Sequence, residues 1–272
     1  MPRSLACLST VPSMPDRCSP SKKPHCRRGP APTALCDKLN ESTVNEYRLI
    51  GYNSNIADEY REHFGSEYFT NYVGYGSGST TVQDRGLFLK KGDCIVGDSK
   101  SKIRFRYDGT NPIVNEFFAP LNLSVDNTVD NISFEIGNAV CRYIIHDDFA
   151  LGENGTNIIR NCHFKGTSYL STAIGGGMAT SSTYIVDTCI FESVGFIAVT
   201  YHNSVENNAL NKYIVKNCYC YEGSVIRGTW YGSSTDITQM IVSGCTADRI
   251  ICESAGDIVN MALIAFNNTI RN

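Results

Sequence analysis

The sequence lacks any apolar run that could cross a membrane, and beyond its first residues it lacks a basic stretch. A membrane helix needs about 18 consecutive apolar residues, and no segment approaches that length. The net charge is −3, and no familiar nucleic-acid-binding motif is present. The composition therefore predicts a protein that engages neither a membrane nor a nucleic acid.

Proline is scarce after residue 36, because seven of the nine prolines lie in residues 1–36. That segment also carries six basic residues against one acidic residue, and four cysteines. It lacks the continuous apolar core of a signal peptide, and its Cys and His spacing fits no structural zinc pattern. We therefore expect residues 1–36 to be a disordered segment, or to follow from a start codon placed too far upstream.

A short phrase recurs in the second half of the chain, and each copy ends in a cysteine. The steps between these cysteines are 27, 29 and 27 residues, at Cys162, Cys189, Cys218 and Cys245. A fixed period in this range predicts a solenoid, in which each repeat buries its apolar face against its neighbours. Several strands and corners within about 27 residues leave no room for the crossover helix of a βαβ unit.

Each phrase predicts a strand followed by a sharp corner. The residues before the cysteine are β-branched, which favours a strand. Asn161, Asn217 and Gly244 stand at the corner, where Asn and Gly tolerate the left-handed conformation. Thr188 is the exception, and it predicts a second corner of different construction. Because the repeat cysteines share one phase, they are expected to be packed thiols rather than disulfides.

The chain divides into three expected parts. Residues 1–36 form the N-terminal segment, residues 37–81 form a cap and linker, and residues 82–272 form the β domain. Within the second part, residues 56–64 predict a short amphipathic helix that covers the first coil. The last partial coil, from Met261, has no cap after it, and such an open β edge favours association with a partner.

The phrase Asn161-Cys162-His163-Phe164-Lys165-Gly166 resembles coils of the right-handed parallel β-helix, or pectin-lyase-like, superfamily. The resemblance covers roughly residues 82–272. It implies an all-β, single-stranded right-handed parallel β-helix. It is specific for fold rather than for activity, because one fold hosts many functions.

An alignment of the coils on the cysteine position brings polar and aromatic segments onto one face. The aligned segments are His146-Asp147-Asp148, Gly175-Gly176-Gly177, Tyr201-His202-Asn203 and Trp230-Tyr231. Rings that stack on the apolar faces of sugars, with polar groups that read hydroxyls, suit a polysaccharide. We therefore expect a substrate-binding face that includes Gly175, Gly176, Gly177, Tyr201, Asn203, Arg227, Trp230 and Tyr231.

The same face predicts catalytic groups. Asp147 or Asp148 would be the acid or orienting carboxylate, and His146 or His202 would be the general base. Similarity to pectate-lyase-like enzymes implies calcium on a carboxylate cluster, for which Asp147 and Asp148 are the metal-ligating candidates. The other motifs of those lyases and of polygalacturonase-like hydrolases are missing, so lyase and hydrolase chemistry both stay open.

Three functions remain at this point. The first is cleavage of an acidic or bacterial surface polysaccharide. The second is a non-catalytic glycan-binding module, since the face also resembles β-helix proteins of phage tails and gut bacteria. The third is a passive spacer, which needs fewer His and aromatic residues than this face has. The resemblance to tail modules implies a homotrimer and an extracellular or virion-tail location.

Overall fold

The computed structural model describes residues 46–49, 51–55, 87–105, 114–115, 119–136, 140–141, 143–146, 154–175, 182–202, 210–221, 225–231, 237–254 and 260–271. Throughout this part of the chain the regular structure is β-strand, and no helix occurs. The predicted N-terminal segment and the predicted helix at residues 56–64 lie outside the described residues. The described chain is all-β, as the sequence predicted.

The strands are numbered in chain order. They are β1 (Glu46–Leu49), β2 (Asn53–Asn55), β3 (Leu87–Phe88), β4 (Cys94–Gly97), β5 (Lys102–Phe105), β6 (Val114–Asn115), β7 (Leu121–Asn122), β8 (Thr128–Asp130), β9 (Ser133–Ile136), β10 (Val140–Cys141), β11 (Tyr143–His146), β12 (Thr156–Arg160), β13 (His163–Gly175), β14 (Thr183–Asp187), β15 (Ile190–His202), β16 (Leu210–Lys216), β17 (Tyr219–Tyr221), β18 (Val225–Tyr231), β19 (Ile237–Ser243), β20 (Thr246–Ala247), β21 (Ile250–Ser254), β22 (Asn260–Phe266) and β23 (Thr269–Ile270).

Two long parallel sheets contain nearly all the described strands. The first sheet has the order β1-β4-β8-β12-β14-β16-β19-β22. The second sheet has the main order β2-β5-β9-β13-β15-β17-β20-β23, with β3, β7, β11, β18 and β21 joined to it. The chain returns repeatedly from the second sheet to the first, and each return adds a strand one place further along, while β6 and β10 pair in a separate two-stranded sheet. This arrangement is consistent with a parallel β-helix.

The two sheets also include strands from the segment that the sequence assigned to a cap and linker. β1 pairs in parallel with β4, and β2 pairs in parallel with β5. The buried side chains of Tyr47 and Leu49 belong to the hydrophobic core. The β structure therefore begins well before residue 82, whereas the domain boundaries themselves stay a prediction.

The inward side of the first sheet consists of aligned columns of side chains. One column is aliphatic and wholly buried, and it contains Ile95, Val129, Ile159, Val186, Val215 and Val242. The neighbouring column begins as polar and then becomes apolar, through Asp93, Asn127, Asn157, Tyr184, Tyr213 and Met240. In-register burial of this kind fixes the pairing, because a slip of one residue would turn each strand inside out.

The polar start of that second column closes tight turns. The backbone amide of Lys90 donates to Asp93 Oδ2 at 2.9 Å, and the amide of Ser124 donates to Asn127 Oδ1 at 2.8 Å. Asn157 continues the ladder by accepting from the amide of Asn127 at 2.9 Å. Burial raises the pKa of Asp93. The ladder satisfies buried backbone groups that would otherwise destabilise the fold.

The corners that follow β8, β12, β14, β16, β19 and β22 are left-handed, as the sequence predicted for Asn161, Asn217 and Gly244. Their φ angles are 55°, 55° and 64°. The expectation for Thr188 was wrong, because its φ of 54° gives the same corner as the others. Its hydroxyl donates to Asp187 Oδ1 at 2.9 Å. This contact compensates in part for the strain of a β-branched residue in that conformation.

The cysteine after each corner has a hydrogen-bonding role that its hydrophobicity does not reveal. Each of the four thiols donates to a carbonyl oxygen of the preceding coil, as in the 3.6 Å contact from Cys189 Sγ to the oxygen of Ile159. Asn268 takes the same place after the last corner, and its Nδ2 donates to the oxygen of Val242 at 2.9 Å. A small, mostly apolar residue with a weak donor suits this position.

The four repeat cysteines are free thiols, which confirms the expectation of packed thiols over disulfides in the repeats. The four repeat cysteines are each 1–2% exposed. Burial raises the pKa of Cys189 and of Cys220, so these thiols stay protonated at neutral pH. The column therefore contributes packing and weak hydrogen bonds.

A ladder of phenylalanine rings fills the inward side of the second sheet. Phe164 lies 5.1 Å from Phe134 and 5.0 Å from Phe191 between ring centroids, and the rings of both pairs are nearly parallel. All three side chains are fully buried. Offset-stacked rings of this kind contribute beyond their buried area.

The outward side of the first sheet has a column of alternating charges. Arg160 pairs with Asp130 at 2.9 Å, and Lys216 pairs with Asp187 at 3.0 Å. Burial acts to raise the pKa of Asp187, but hydrogen bonds from Lys216, Asn217 and Thr188 outweigh it and hold the pKa below its ordinary value. Opposite charges in adjacent strands stabilise the observed register, because like charges would repel.

Apolar side chains are exposed on the last two described strands. Leu263, Ile264 and Phe266 of β22 and Ile270 of β23 are each between 42% and 51% exposed. Within the described residues, these two strands are the final members of their sheets.

Candidate functional site

His146 lies at the end of β11, and its neighbours in the sheet are Gly175 on one side and Asn122 on the other. This register agrees with the sequence alignment of His146 with Gly175. The imidazole stacks on Tyr143 with ring centroids 4.3 Å apart, and the side chain is only 4% exposed. His146 is therefore a buried residue whose ring is held in place by an aromatic neighbour.

Gly175 is required by the same packing. A Cβ atom at this position would overlap the ring of Tyr143. The absence of a side chain at Gly175 thus lets Tyr143 lie across the strand and stack on His146. The sequence analysis identified the glycine but not Tyr143, whose role depends on a contact between two different strands.

Asn122 is a buried polar neighbour that the sequence analysis also missed. Its side chain is fully buried, and its Nδ2 donates to the carbonyl oxygen of Ala119 at 3.2 Å. The amide of Leu123 donates to the carbonyl oxygen of His146 at 2.6 Å. This backbone hydrogen bond holds the main chain of His146 against the neighbouring strand.

A second group of predicted residues forms what we call the aromatic row: Tyr201, His202, Trp230 and Tyr231. Tyr201 pairs with Trp230, and His202 pairs with Tyr231, at the ends of the parallel strands β15 and β18. Adjacent parallel strands lie about 4.8 Å apart. The pairing therefore brings three aromatic residues and one imidazole to neighbouring backbone positions.

The structure separates Gly175 from the aromatic row. Phe164 pairs with Phe191, which is 27 residues later, but Thr172 pairs with Phe196, which is only 24 residues later. The alignment on cysteines placed Gly175 level with His202 because it assumed a constant step. That placement is wrong, because register shifts within β13 and β15 offset the two residues by about three positions.

Five of the predicted site residues lie outside the described residues: the carboxylates Asp147 and Asp148 and the substrate-binding candidates Gly176, Gly177 and Asn203. Within the described part of the chain, no group of three His, Cys, Asp or Glu side chains could hold a metal ion. The catalytic roles of Asp147, Asp148, His146 and His202 therefore stay predictions, as does calcium binding by the two aspartates.

Arg227 lies in β18, where it is level with Ala198 on β15 and Ile251 on β21. Its side chain is half-buried. It precedes Trp230 by three residues in the same strand. Its predicted role in substrate binding stays a prediction.

A third surface, which the sequence analysis missed, lies on the outward side of the second sheet. We call it the tyrosine face, and it consists of Ile190, Tyr219 and Tyr221. Each of these side chains is between 37% and 41% exposed. The signal was present in the sequence, because Cys220 faces inward and the alternation of a strand turns both neighbouring tyrosines outward.

Comparisons with known proteins add no relative. The chain matches no protein-family model, no curated protein and no solved structure. No helix of the described residues is long and apolar enough to span a membrane.

Proposed function

We propose that the chain is a single-stranded right-handed parallel β-helix of the pectin-lyase-like type, and that it engages a polysaccharide. Two long parallel sheets, each extended by one place with every return of the chain, support the fold. The stacked Phe134, Phe164 and Phe191 rings and the aligned aliphatic column are the cores that such a coil needs.

The pairing of Tyr201 with Trp230, and of His202 with Tyr231, is the observation that carries the function. Tyr201 and Trp230 are paired and so share one face of the sheet, and two aromatic residues on adjacent parallel strands suit the apolar faces of consecutive sugars. Binding is the part of the function that this placement supports best. The protein is then a glycan-binding module, with a homotrimer at a cell or virion surface as the setting that fits it.

Cleavage of the bound polysaccharide is the stronger form of the same proposal. In that form His202 acts as the general base and Asp147 or Asp148 supplies the carboxylate. His146 fits a positioning role better than a substrate contact, because its side chain is buried against Tyr143. Calcium on Asp147 and Asp148 would supply charge neutralisation for an acidic sugar.

The test combines retention with product analysis. Affinity gel electrophoresis, with one soluble polysaccharide in each gel, compares wild type with Trp230→Ala and Trp230→Phe. The proposal expects retardation of wild type and Trp230→Phe, and loss of retardation for Trp230→Ala. Retardation of Trp230→Ala equal to wild type would remove the aromatic row from the function.

Digestion of the same polysaccharides, with and without calcium, separates binding from cleavage. Unsaturated products that absorb ultraviolet light indicate a lyase, and new reducing ends without that absorbance indicate a hydrolase. His202→Ala should abolish either product while it leaves the melting temperature unchanged. Retention without any product leaves the binding module as the function.

A further inference from the structure

The tyrosine face is an apolar surface that is exposed although it lies in a well-packed part of the second sheet. Ile190 is level with Tyr219 on the adjacent strand, and the rings of Tyr219 and Tyr221 lie 4.2 Å apart at an interplanar angle of 46°. These three side chains are 40%, 37% and 41% exposed, respectively. An exposed apolar patch with a polar border is typical of a binding site.

The border on one side is a fixed carboxylate. Glu192 is level with Tyr221 on the neighbouring strand. Its two oxygens accept from Lys165 Nζ at 2.8 Å and contact His163 Nε2 at 3.0 Å. The carboxylate is therefore held in one orientation beside the tyrosine ring, and it remains about 29% exposed to a ligand.

The border on the other side is a fixed guanidinium. Arg271 lies over the ring of Tyr219, with its Cζ atom 5.6 Å from the ring centroid. It also pairs with Asp248 at 2.9 Å and donates to the carbonyl oxygen of Cys220. Three contacts thus hold Arg271 in place, so little side-chain entropy remains to be lost when a ligand binds.

From this geometry we infer that the tyrosine face is a second carbohydrate-binding surface, which takes a neutral polysaccharide chain. The rings and Ile190 suit the C–H faces of sugars, and the fixed Glu192, Asp248 and Arg271 suit their hydroxyls. The inference shares its ligand class with the proposed function and depends on it in that respect. The tyrosine face is a different surface from the aromatic row. β17 pairs with the first residues of β15, whereas β18, which carries Trp230 and Tyr231, pairs with the later residues of β15.

The balance of charge on the tyrosine face favours a neutral ligand. Glu192 and Asp248 are each matched by a basic partner within the face, Lys165 and Arg271 respectively. A surface whose positive and negative charges balance attracts a strongly acidic chain or a nucleic acid only weakly. The neutral hydroxyl-rich chain is the ligand that uses both the rings and the paired charges.

The test compares two double variants with wild type. Tyr219→Ala/Tyr221→Ala removes the rings, whereas the matched control Tyr219→Phe/Tyr221→Phe keeps the rings and removes only the hydroxyls. The probes are a soluble xyloglucan, a galactomannan and a mixed-linkage glucan, with polygalacturonate as the acidic counterpart. Loss of an aromatic anchor should weaken binding to a neutral chain by about tenfold or more, with the Phe control within about threefold of wild type.

The outcomes separate this inference from the proposed function. If Trp230→Ala removes all retention and the double Ala variant changes none, the second surface is refuted and the aromatic row stands. If the double Ala variant weakens retention on neutral chains while Trp230→Ala does not, the second surface stands and the aromatic row fails. Absence of wild-type retention on any chain refutes both.

Two further results would overturn the inference alone. One is retention on polygalacturonate only, and the other is an equal loss in the Ala and Phe variants. Melting curves accompany each assay. If the double Ala variant does not melt cooperatively, Tyr221→Ala is compared with Tyr221→Phe, and the same expectations apply.

Discussion

The two ends of the central coils differ in how strictly the chain repeats. At the corner, one left-handed residue is followed by one inward residue that donates to the preceding coil, and this holds from Cys162 through Asn268. At the far end, the step between β13 and β15 falls from 27 to 24 residues. The repeated hydrogen bond fixes the register at the corner although the coils differ in length, with steps of 27, 29, 27 and 23 residues between successive donors from Cys162 to Asn268. The changes in length are therefore accommodated away from the corner.

This difference indicates where function can reside. Loops and irregular strand ends are less constrained by packing, so they are the usual carriers of binding residues on a rigid scaffold. The aromatic row follows the region of changed register in β15, and its partner residues end β18. The regular corner therefore sets the register of the strands, and the irregular strand ends can carry binding residues.

The largest expected loss of stability comes from a substitution in the regular interior. Phe164→Ala removes a ring that stacks on two neighbours, and it should lower the free energy of unfolding by about 3–5 kcal/mol. The matched control is Phe266→Ala, which removes a half-exposed ring in the last coil and should cost less than about 1 kcal/mol. Urea unfolding measures both, and equal losses would contradict a stacked interior.

A smaller effect is expected at the irregular end. Gly175→Ala inserts a methyl group into the space of the Tyr143 ring, and it should destabilise the protein by about 1–3 kcal/mol. The expected mechanism is displacement of Tyr143, so Tyr143→Leu should reduce the additional cost of Gly175→Ala. Thermal unfolding of the two single variants and the double variant measures this coupling, and strict additivity would show that the two residues do not compete for space.

One substitution at the corner should increase the stability of the fold. Thr188 is β-branched at a φ of 54°, whereas the equivalent residues Asn161 and Asn217 are of a type that tolerates this conformation. Thr188→Asn should therefore raise the free energy of unfolding by about 0.5–1 kcal/mol, and Asn217→Thr should lower it by a similar amount. Changes of the same sign in both variants would show that the corners are not equivalent.

The smallest effect is expected on the outward charge column, and it depends on pH. The lowered pKa of Asp187 stabilises the folded state above its ordinary value of about 3.9, and this contribution is lost as the pH falls through the lowered value. Wild type should therefore lose more stability than Asp187→Asn between about pH 5 and pH 2, by less than about 1 kcal/mol. Parallel stability curves in acid would contradict the pairing with Lys216.

The period of the cysteines was sufficient to predict the all-β class, parallel strands and left-handed corners. Each of these follows from local chemistry: a β-branched run, an Asn or Gly that tolerates positive φ, and alternation after the corner. The corner at Thr188 was mispredicted because residue preference is weaker than the demand of the stack. The five other left-handed corners, at Asn131, Asn161, Asn217, Gly244 and Asn267, impose their geometry on Thr188 as well.

The candidate site was predicted less well, because its residues depend on pairing between strands. The contact of Tyr143 with His146 across Gly175 could not be read from spacing, and neither could the shift that separates Gly175 from His202. The tyrosine face was overlooked for a different reason. Its alternation was visible, but only the structure brings Arg271 over Tyr219 from 52 residues further along the chain.

One paired measurement tests the central claim that the regular corner sets stability while the irregular end binds polysaccharide. Melting temperature and polysaccharide affinity are measured together for wild type, Thr188→Asn and Trp230→Ala. The account predicts that Thr188→Asn raises the melting temperature with unchanged affinity. It also predicts that Trp230→Ala abolishes binding in a protein that still melts cooperatively above the assay temperature. Unchanged affinity in folded Trp230→Ala, or a change of affinity in Thr188→Asn, would contradict it.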